Sequence, residues 1–130
     1  MGIKISNVFY TYSPKSPNKT LALNNVSLTI EDHSFVAFVG ETGSGKSTLM
    51  QNLNALLVPS EGEINVDEFV ITPKAKKNKR IKELRKHLGL VFQFPEYQLF
   101  EETVEKDVAF GPKNFGLDEK TALEKAHQAI

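Results

Sequence analysis

In the first half of the chain, the spacing of the apolar residues changes from that of a strand to that of a helix. Residues 3–12 are rich in Ile, Val and aromatic side chains, and residues 22–30 alternate in polarity with apolar Val26, Leu28 and Ile30, so both are predicted strands. Residues 35–39 are uninterruptedly apolar, which is typical of a strand buried on both faces of a parallel sheet. In residues 46–57 the apolar side chains recur at helical spacing.

The second half predicts two further strands and two helices. Residues 63–71 alternate in polarity, and residues 88–92 form a short apolar strand. Thr103 is the predicted N-cap of a helix that ends at Gly111–Pro112, and a last helix begins near Asp118. Because the helical period of that last segment is still running at the final residue, we expect the chain to stop inside a domain.

Composition and charge exclude several classes of protein. The chain has 130 residues, 40% hydrophobic and 25% charged, which is typical of one soluble globular domain. Lys and Arg together number 16 and so do Asp and Glu, which excludes binding of nucleic acid by bulk positive charge. The absence of cysteine excludes thiolate metal sites. Half of the basic residues lie in 72–87, which we interpret as a solvated basic helix face, and no nucleic-acid partner is expected.

A glycine-rich loop follows the apolar stretch and precedes the predicted helix. It reads Gly40-Glu41-Thr42-Gly43-Ser44-Gly45-Lys46-Ser47, a match to the G-x-x-x-x-G-K-[ST] pattern at every fixed position. Its glycines let consecutive N–H groups point inward as an anion nest, and the helix N-terminus faces the same anion. Lys46 reaches the β- and γ-phosphates, and the Ser47 hydroxyl ligates Mg²⁺. The sequence therefore predicts a nucleoside triphosphate site with Mg²⁺.

Thr48 extends this loop to Gly-x-x-Gly-x-Gly-Lys-Ser-Thr, which resembles the ATP-binding cassette (ABC) family. The Asp-x-x-Gly and Asn-Lys-x-Asp motifs that a GTPase needs do not occur in the sequence. In the ABC family, an aromatic side chain well before the loop stacks on adenine. Tyr12 at the end of the first predicted strand suits that role, and Tyr10 is the alternative. The resemblance implies that ATP is the ligand of residues 40–48.

A second motif resembles the Q-loop of the same family. It is Leu90-Val91-Phe92-Gln93-Phe94-Pro95-Glu96. The amide oxygen of a glutamine can ligate Mg²⁺ while its NH₂ group orients a water molecule, and a residue on a loop can move with nucleotide state. The resemblance implies that Gln93 is a metal ligand and, together with Lys46, a catalytic residue.

The stretch from Phe92 to Pro112 resembles the ATPases of energy-coupling factor transporters, and its aromatic-acidic part resembles the second of their two ATPase types. The resemblance implies an ATP-hydrolysing motor that imports vitamins or transition-metal ions such as cobalt, peripheral on the cytoplasmic face of the cell membrane. Its implied partners are a paired ATPase subunit in a homodimer or heterodimer, a transmembrane coupling subunit that binds residues 94–105, and, indirectly, a substrate-capture membrane subunit. The ATPase of another ABC transporter, or a soluble non-transport ABC protein, is the alternative.

The implied fold is α/β, the N-terminal portion of a P-loop NTPase (ABC ATPase) nucleotide-binding domain. It comprises an antiparallel β subdomain and the start of a RecA-like core, and is truncated in the helical subdomain. We expect residues 1–92 to form the nucleotide-binding core, and 93–130 the Q-loop and the start of the helical subdomain. The Leu-Ser-Gly-Gly signature, the Walker B acids and the switch histidine would lie beyond residue 130. His33 stands where the family pattern has glycine, and if that position needs a positive φ, we expect His33 to be tolerated but strained.

Overall fold

The structure is a computed structural model that describes residues 2–74 and 80–130, in two compact units, Met1–Leu90 and Val91–Ile130. The first unit contains β1 (Ile3–Tyr12), β2 (Thr20–Ile30), α1 (Lys46–Leu53), β3 (Glu61–Val66), β4 (Phe69–Ile71) and α2 (Ile81–His87). The second contains a 3₁₀ helix (Pro95–Gln98), α3 (Val104–Asn114) and α4 (Glu119–Ala129). Three lysines of the basic stretch, Lys76, Lys77 and Lys79, lie outside the described residues.

An antiparallel sheet organises the first unit. Its four strands stand in the order β2-β1-β3-β4, and every neighbouring pair is antiparallel. The buried side chains of β1 and β3, such as Ile5 and Ile64, share one core cluster with Leu49 and Leu53 of α1. The predicted antiparallel β subdomain is confirmed, and its core fixes the helix that follows the glycine-rich loop.

A bulge sets which side chains of β1 face this core. Ile3, Ile5 and Val8 are buried, so the alternation slips by one residue between Ile5 and Val8, where the pairing with β2 also shifts. Asn7 takes up the extra residue with a φ of 50°. Its Nδ2 donates to Oδ1 of Asn25 on β2 at 2.9 Å, which ties the two strands together at the bulge.

Two predicted strands do not form. Residues 35–39 and 88–92 are neither strand nor helix, and Phe35 and Val39 are 99% and 96% exposed. A strand persists only through hydrogen bonds to a neighbouring strand. The sheet of the described residues pairs β1 to β4 only, so neither segment has such a neighbour there. Their apolar composition is typical of buried strands, but no strand among the described residues pairs with them.

The predicted strand over residues 63–71 is instead the hairpin of β3 and β4. Val66 pairs with Phe69, so Asp67 and Glu68 form a two-residue turn, and Asp67 has a φ of 51°. The turn reverses the phase of the alternation, which buries Phe69 and leaves Val70 exposed. An Asp-Glu pair is a weak turn signal beside Asp-Gly, which explains why the sequence pattern missed it.

Helix α1 is shorter than the predicted helix 46–57. It ends at Leu53, and Asn54 is its C-cap. Ala55 follows in the left-handed region with a φ of 57° and donates its N–H to Asn52 O at 3.2 Å. This is the position where glycine is preferred, because a Cβ costs about 1–2 kcal/mol in the left-handed conformation. Because the sequence has no glycine at this position, the helical periodicity alone predicted a helix that is longer than the one observed.

His33 has the positive φ that the resemblance implies, 54°, which confirms the expected strain. Histidine is one of the residues that tolerate this region better than most. Its N–H donates to Oδ1 of Asp32 at 2.9 Å, and its ring Nδ1 lies 3.2 Å from Oδ2 of the same carboxylate. These contacts hold the tight turn that follows β2.

In the second unit, α3 and α4 begin as predicted. The Thr103 side chain accepts a hydrogen bond from Lys106 N–H, and the Asp118 side chain accepts one from Thr121 N–H. The hydrogen bonds to Thr121 lower the pKa of the Asp118 carboxyl. The N-cap prediction for Thr103 and the predicted helix start near Asp118 are both confirmed, because a cap depends on residues within one turn of each other.

The predicted end of α3 at Gly111–Pro112 is wrong, since the helix continues to Asn114. The end is made by Gly116, whose φ is 101° and whose N–H donates to Lys113 O at 3.0 Å. Leu117 N–H donates to Pro112 O at 3.2 Å, which completes a Schellman motif. Pro112 lies inside the helix and removes one backbone donor without ending it, and the true stop signal is Gly116.

Candidate functional site

The glycine-rich loop curls around the ammonium group of Lys46. Its Nζ donates to the carbonyl oxygens of Gly40 and Glu41 at 2.7 Å each, and to Oγ of Ser44 at 3.2 Å. The side chain therefore lies inside the loop that precedes its own helix, with its three donor positions directed to loop oxygens. Residues 40–44 are exposed, so this charge faces a surface that an anion can reach.

Two glycines make this curl possible. Gly43 and Gly45 have φ values of 85° and 95°, a region that side chains with a Cβ rarely adopt. A Cβ on Gly45 would also stand 2.6 Å from the carbonyl oxygen of Ala22 on β2. The loop thus passes directly over the backbone of the sheet, and only glycine fits at that crossing.

The N-terminus of α1 has no negative partner of its own. Gly45 is the N-cap and provides no side-chain hydrogen bond, and the first turn of the helix contains no acidic residue. The first N–H groups of a helix need an acceptor from outside it, and the helix dipole favours an anion there. Ser47 is exposed in this first turn, beside Lys46. The donors, the charge and the hydroxyl together fit a triphosphate with a divalent cation.

Tyr12 is joined to the start of the same helix. Its hydroxyl lies 2.9 Å from Oγ1 of Thr48, and either atom can donate the hydrogen bond. Thr48 is 7% exposed and Tyr12 39% exposed, so the ring is accessible while its hydroxyl is held. Tyr10 packs edge-on against Tyr12, with the ring centroids 4.8 Å apart, and burial, then the neighbouring Tyr12, raises the pKa of the Tyr10 phenol. The fold thus brings Tyr12 and Thr48 together, with Tyr10 as a support.

Gln93 lies in the second unit. It is exposed, on the irregular segment just before the 3₁₀ helix Pro95–Gln98. Gln93 thus lies on a loop, as expected from the motif. The large apolar side chains that follow it are also exposed: Phe94 by 55%, Tyr97 by 84%, Leu99 by 66% and Phe100 by 61%.

The aromatic-acidic surface of residues 94–105 is held in shape by its own unit. Oδ1 of Asp107 accepts from the N–H groups of Phe100 and Glu101 at 3.2 and 3.3 Å, which ties the loop to the first turn of α3. Phe100 stacks edge-on against Phe110, with centroids 4.8 Å apart. The apolar groups are therefore presented outward on a supported loop, an arrangement typical of protein interfaces.

The sequence analysis missed two residues, Arg85 and Asn52, whose hydrogen bonds support α1 and the turn that follows it. Arg85 of α2 donates from Nε to Asn54 O and from Nη2 to Ala55 O, both at 3.1 Å. Asn52 is fully buried and donates from Nδ2 to Thr48 O at 2.8 Å, while its Oδ1 has no partner within residues 2–74 and 80–130. Neither residue belongs to a motif, and no periodicity marks a contact between residues 30 positions apart.

The family profile described as ABC transporter matches residues 23–130. The chain belongs to the ABC transporter family. This confirms the resemblance to the ABC family that the glycine-rich loop and the Gln93 segment carry, and membership in the family implies that the domain binds ATP. Each described helix falls short of the length and apolar character that a bilayer crossing requires.

Relatives in this family are identical to the chain at about half of the aligned positions. It is 53% identical to the energy-coupling factor transporter ATP-binding protein EcfA2 of Clostridium acetobutylicum, over 100% of this chain and 44% of that protein. Identity to the protein of the same name from Lactobacillus acidophilus is 57%, over 97% of this chain and 44% of that protein. The chain therefore spans less than half the length of these relatives.

Solved ABC structures have the same fold. The dimeric post-hydrolysis state of the ATP-binding cassette MJ0796, bound to ADP and Pi, matches with a TM-score of 0.79 and 28% identity, over 97% of this chain and 54% of that chain. CbiO1 from Clostridium perfringens, part of the ABC transporter complex cbiONQ, matches with a TM-score of 0.74 and 37% identity, over 98% and 48% of the two chains. Both are about twice the length of the part they share with this chain.

Proposed function

We propose that the full-length protein carrying this chain is the ATP-hydrolysing motor subunit of an energy-coupling factor importer for vitamins or transition-metal ions. The observation that carries the proposal is the loop that encloses Lys46 in front of an α1 N-terminus with no capping side chain and no acidic residue in its first turn. Such a site offers hydrogen-bond donors and a positive charge to the phosphates of a nucleotide. The identity to EcfA2 proteins supports the transporter class.

Each residue of the proposed site has a separate task. The backbone of residues 40–48 binds the phosphates, and Lys46 exchanges its bond to Ser44 for the β- and γ-phosphate oxygens. Ser47 and Gln93 would hold Mg²⁺, which supplies charge neutralisation at the phosphates when bound. Gln93 also orients the attacking water, and Tyr12 stacks on the adenine ring.

The partners in this proposal follow from the aromatic-acidic surface of residues 94–105. Exposed Tyr97 and Phe100 act as anchors, and the carboxylates around them steer a basic helix of the transmembrane coupling subunit. Movement at Gln93 then pulls on that subunit, and through it on the substrate-capture subunit. A paired ATPase subunit completes the nucleotide site, and the complex lies on the cytoplasmic face of the membrane.

The 130-residue chain is expected to bind Mg-ATP weakly, with negligible turnover. Hydrolysis also needs a general base and a signature motif from a paired subunit, and the family resemblance puts both beyond residue 130. Isothermal titration calorimetry measures binding, and phosphate release measures turnover. Steady-state hydrolysis by the purified chain that disappears in Lys46→Ala would contradict this expectation, and absence of ATP binding would contradict the proposed function.

Reversing two charges of residues 94–105 is expected to abolish assembly without affecting nucleotide binding. Glu96→Lys combined with Glu101→Lys, in the full-length protein, places like charges against the proposed basic helix. Co-purification with the membrane subunits should be lost, while the Kd for Mg-ATP is unchanged. The control is Glu31→Lys with Glu124→Lys, two exposed acids elsewhere on the chain. Normal assembly and transport in the first variant would eliminate the docking role.

The same experiment tests the alternative function. If the unmodified full-length protein binds ATP but co-purifies with no membrane subunit, a soluble non-transport ABC protein is indicated. Co-purification with a transporter of a different class would indicate a conventional importer.

A further inference from the structure

The guanidinium group of Arg85 bridges the C-terminal end of α1. Its Nε and Nη2 donate to the carbonyl oxygens of two consecutive residues, Asn54 and Ala55, at 3.1 Å each. The last carbonyl groups of a helix have no partner inside it, and a cation is favoured there by the helix dipole. Helix α1 contains no basic residue in its own last turn, so the charge comes from α2.

This end of α1 depends on support from outside. The residue at the left-handed position is Ala55 rather than glycine, with a φ of 57°, and it is buried. A strained backbone persists only where its surroundings over-determine it. The planar guanidinium group of Arg85 provides this constraint, because it binds the carbonyl groups on both sides of the strained Cα of Ala55. The single ammonium group of a lysine cannot bind both in the same way.

The end that Arg85 supports and the residues that face the phosphates lie at the two ends of one short helix. Helix α1 has eight residues and is therefore about 12 Å long, with Lys46 and Ser47 in its first turn. A shift of its C-terminal end changes the direction of its N–H groups at the other end. Groups that bind a ligand must be held within about 0.5 Å of their productive positions. The body that carries Arg85 is itself anchored, because Leu84 is buried in the core of the first unit.

We propose that Arg85 is a positioning residue for the phosphate loop: its fork fixes the strained C-terminus of α1 and thereby the direction in which Lys46, Ser47 and the first N–H groups meet the triphosphate. This inference rests on the proposed nucleotide site. It assigns to α2 a task that the sequence motifs do not indicate.

The first experiment compares two arginines of the same segment. Arg85→Gln in the 130-residue chain is expected to raise the Kd for Mg-ATP about tenfold, and Arg85→Lys, which keeps the charge and loses the fork, about three- to fivefold. The matched control is Arg80→Gln, because Arg80 contacts Glu83, Glu68 and the ring of Phe69 instead of α1. Its Kd should be unchanged. The Kd is measured by titration calorimetry at a temperature where circular dichroism shows every variant folded.

The second experiment separates positioning from general stability. Ala55→Gly removes the strain at the end of α1, so the helix no longer depends on the fork. Arg85→Gln combined with Ala55→Gly is expected to recover the ATP affinity of the unmodified chain to within about twofold, while Arg85→Gln combined with the control Ala129→Gly, at an exposed position of the second unit, is not.

Three outcomes overturn the inference. They are an unchanged Kd in folded Arg85→Gln, an equal loss in Arg80→Gln, and failure of Ala55→Gly to restore affinity. If Arg85→Gln does not fold, Arg85→Lys takes its place. A Kd for Arg85→Lys that is unchanged, or that Ala55→Gly does not restore, then overturns the inference. Absence of ATP binding in the unmodified chain would instead refute the proposed nucleotide site.

Discussion

The Lys46→Ala variant is expected to bind Mg-ATP about a hundredfold more weakly than the unmodified chain. The ammonium group is held inside the loop by Gly40 O and Glu41 O, so it stands ready where phosphates would bind. Each hydrogen bond to a charged group contributes about 1.5–3 kcal/mol, and two such bonds to phosphate oxygens account for the loss. Titration calorimetry at fixed ionic strength measures it.

Matched variants distinguish this effect from loss of charge or of folding. Lys15→Ala removes an exposed lysine from the loop after β1 and should leave the Kd unchanged. Lys46→Arg keeps the charge but cannot fit the same loop, so it should recover little of the affinity. Because the loop carbonyl groups are exposed, the thermal midpoint of Lys46→Ala should stay close to that of the unmodified chain. ATP binding within threefold of the unmodified value would contradict the role of Lys46.

Tyr12→Ala is expected to lose about 1–3 kcal/mol of ATP affinity, the usual contribution of stacking on one base. The ring of Tyr12 is the accessible part of the side chain, and its edge-on contact with Tyr10 fixes the plane that adenine would meet. Tyr12→Trp, which retains an aromatic face, should bind nearly as well as the unmodified chain. If Tyr12→Ala binds normally and Tyr10→Ala does not, the stacking role belongs to Tyr10.

The hydroxyl of Tyr12 is expected to affect stability rather than affinity. Tyr12→Phe leaves the nearly buried Thr48 hydroxyl without its partner at 2.9 Å, which should lower the free energy of unfolding by about 1 kcal/mol. Thr48→Val in the same chain removes the orphaned hydroxyl, so the double variant should recover most of that loss. Urea denaturation of the two single variants and the double variant measures the coupling. A large loss of ATP affinity in Tyr12→Phe would contradict a role that depends on the ring.

The phosphate loop was predictable because its chemistry is local. Gly43, Gly45, Lys46 and Ser47 act through a backbone curl and a helix start that lie within eight consecutive residues, so a linear pattern describes them. The N-cap Thr103 and the helix start near Asp118 were predictable for the same reason. The end of α3 at Gly116 was equally local, but the more conspicuous Gly111–Pro112 concealed it.

The strand predictions that were wrong concern segments whose structure depends on neighbouring strands. Residues 35–39 have the composition of a central strand, but strand pairing needs a partner, and the described chain pairs only β1 to β4. The turn at Asp67 reverses the phase of a hairpin that looks like one strand along the sequence. In both cases the local pattern indicates only the burial and the alternation of the side chains. Whether the segment forms a strand depends on a pairing partner that lies elsewhere in the chain.

The sequence by itself determined the family and the backbone curl of residues 40–46, because a glycine-rich loop before a helix is encoded in contiguous positions. Only the tertiary structure decided what orients that loop. The hydrogen bond between Tyr12 and Thr48 joins two elements 36 positions apart, and the fork of Arg85 reaches back across 30 positions to Ala55. Such contacts arise from the packing of strands and helices around a shared core, where the positions of side chains follow from the fold and leave no period or motif in the sequence.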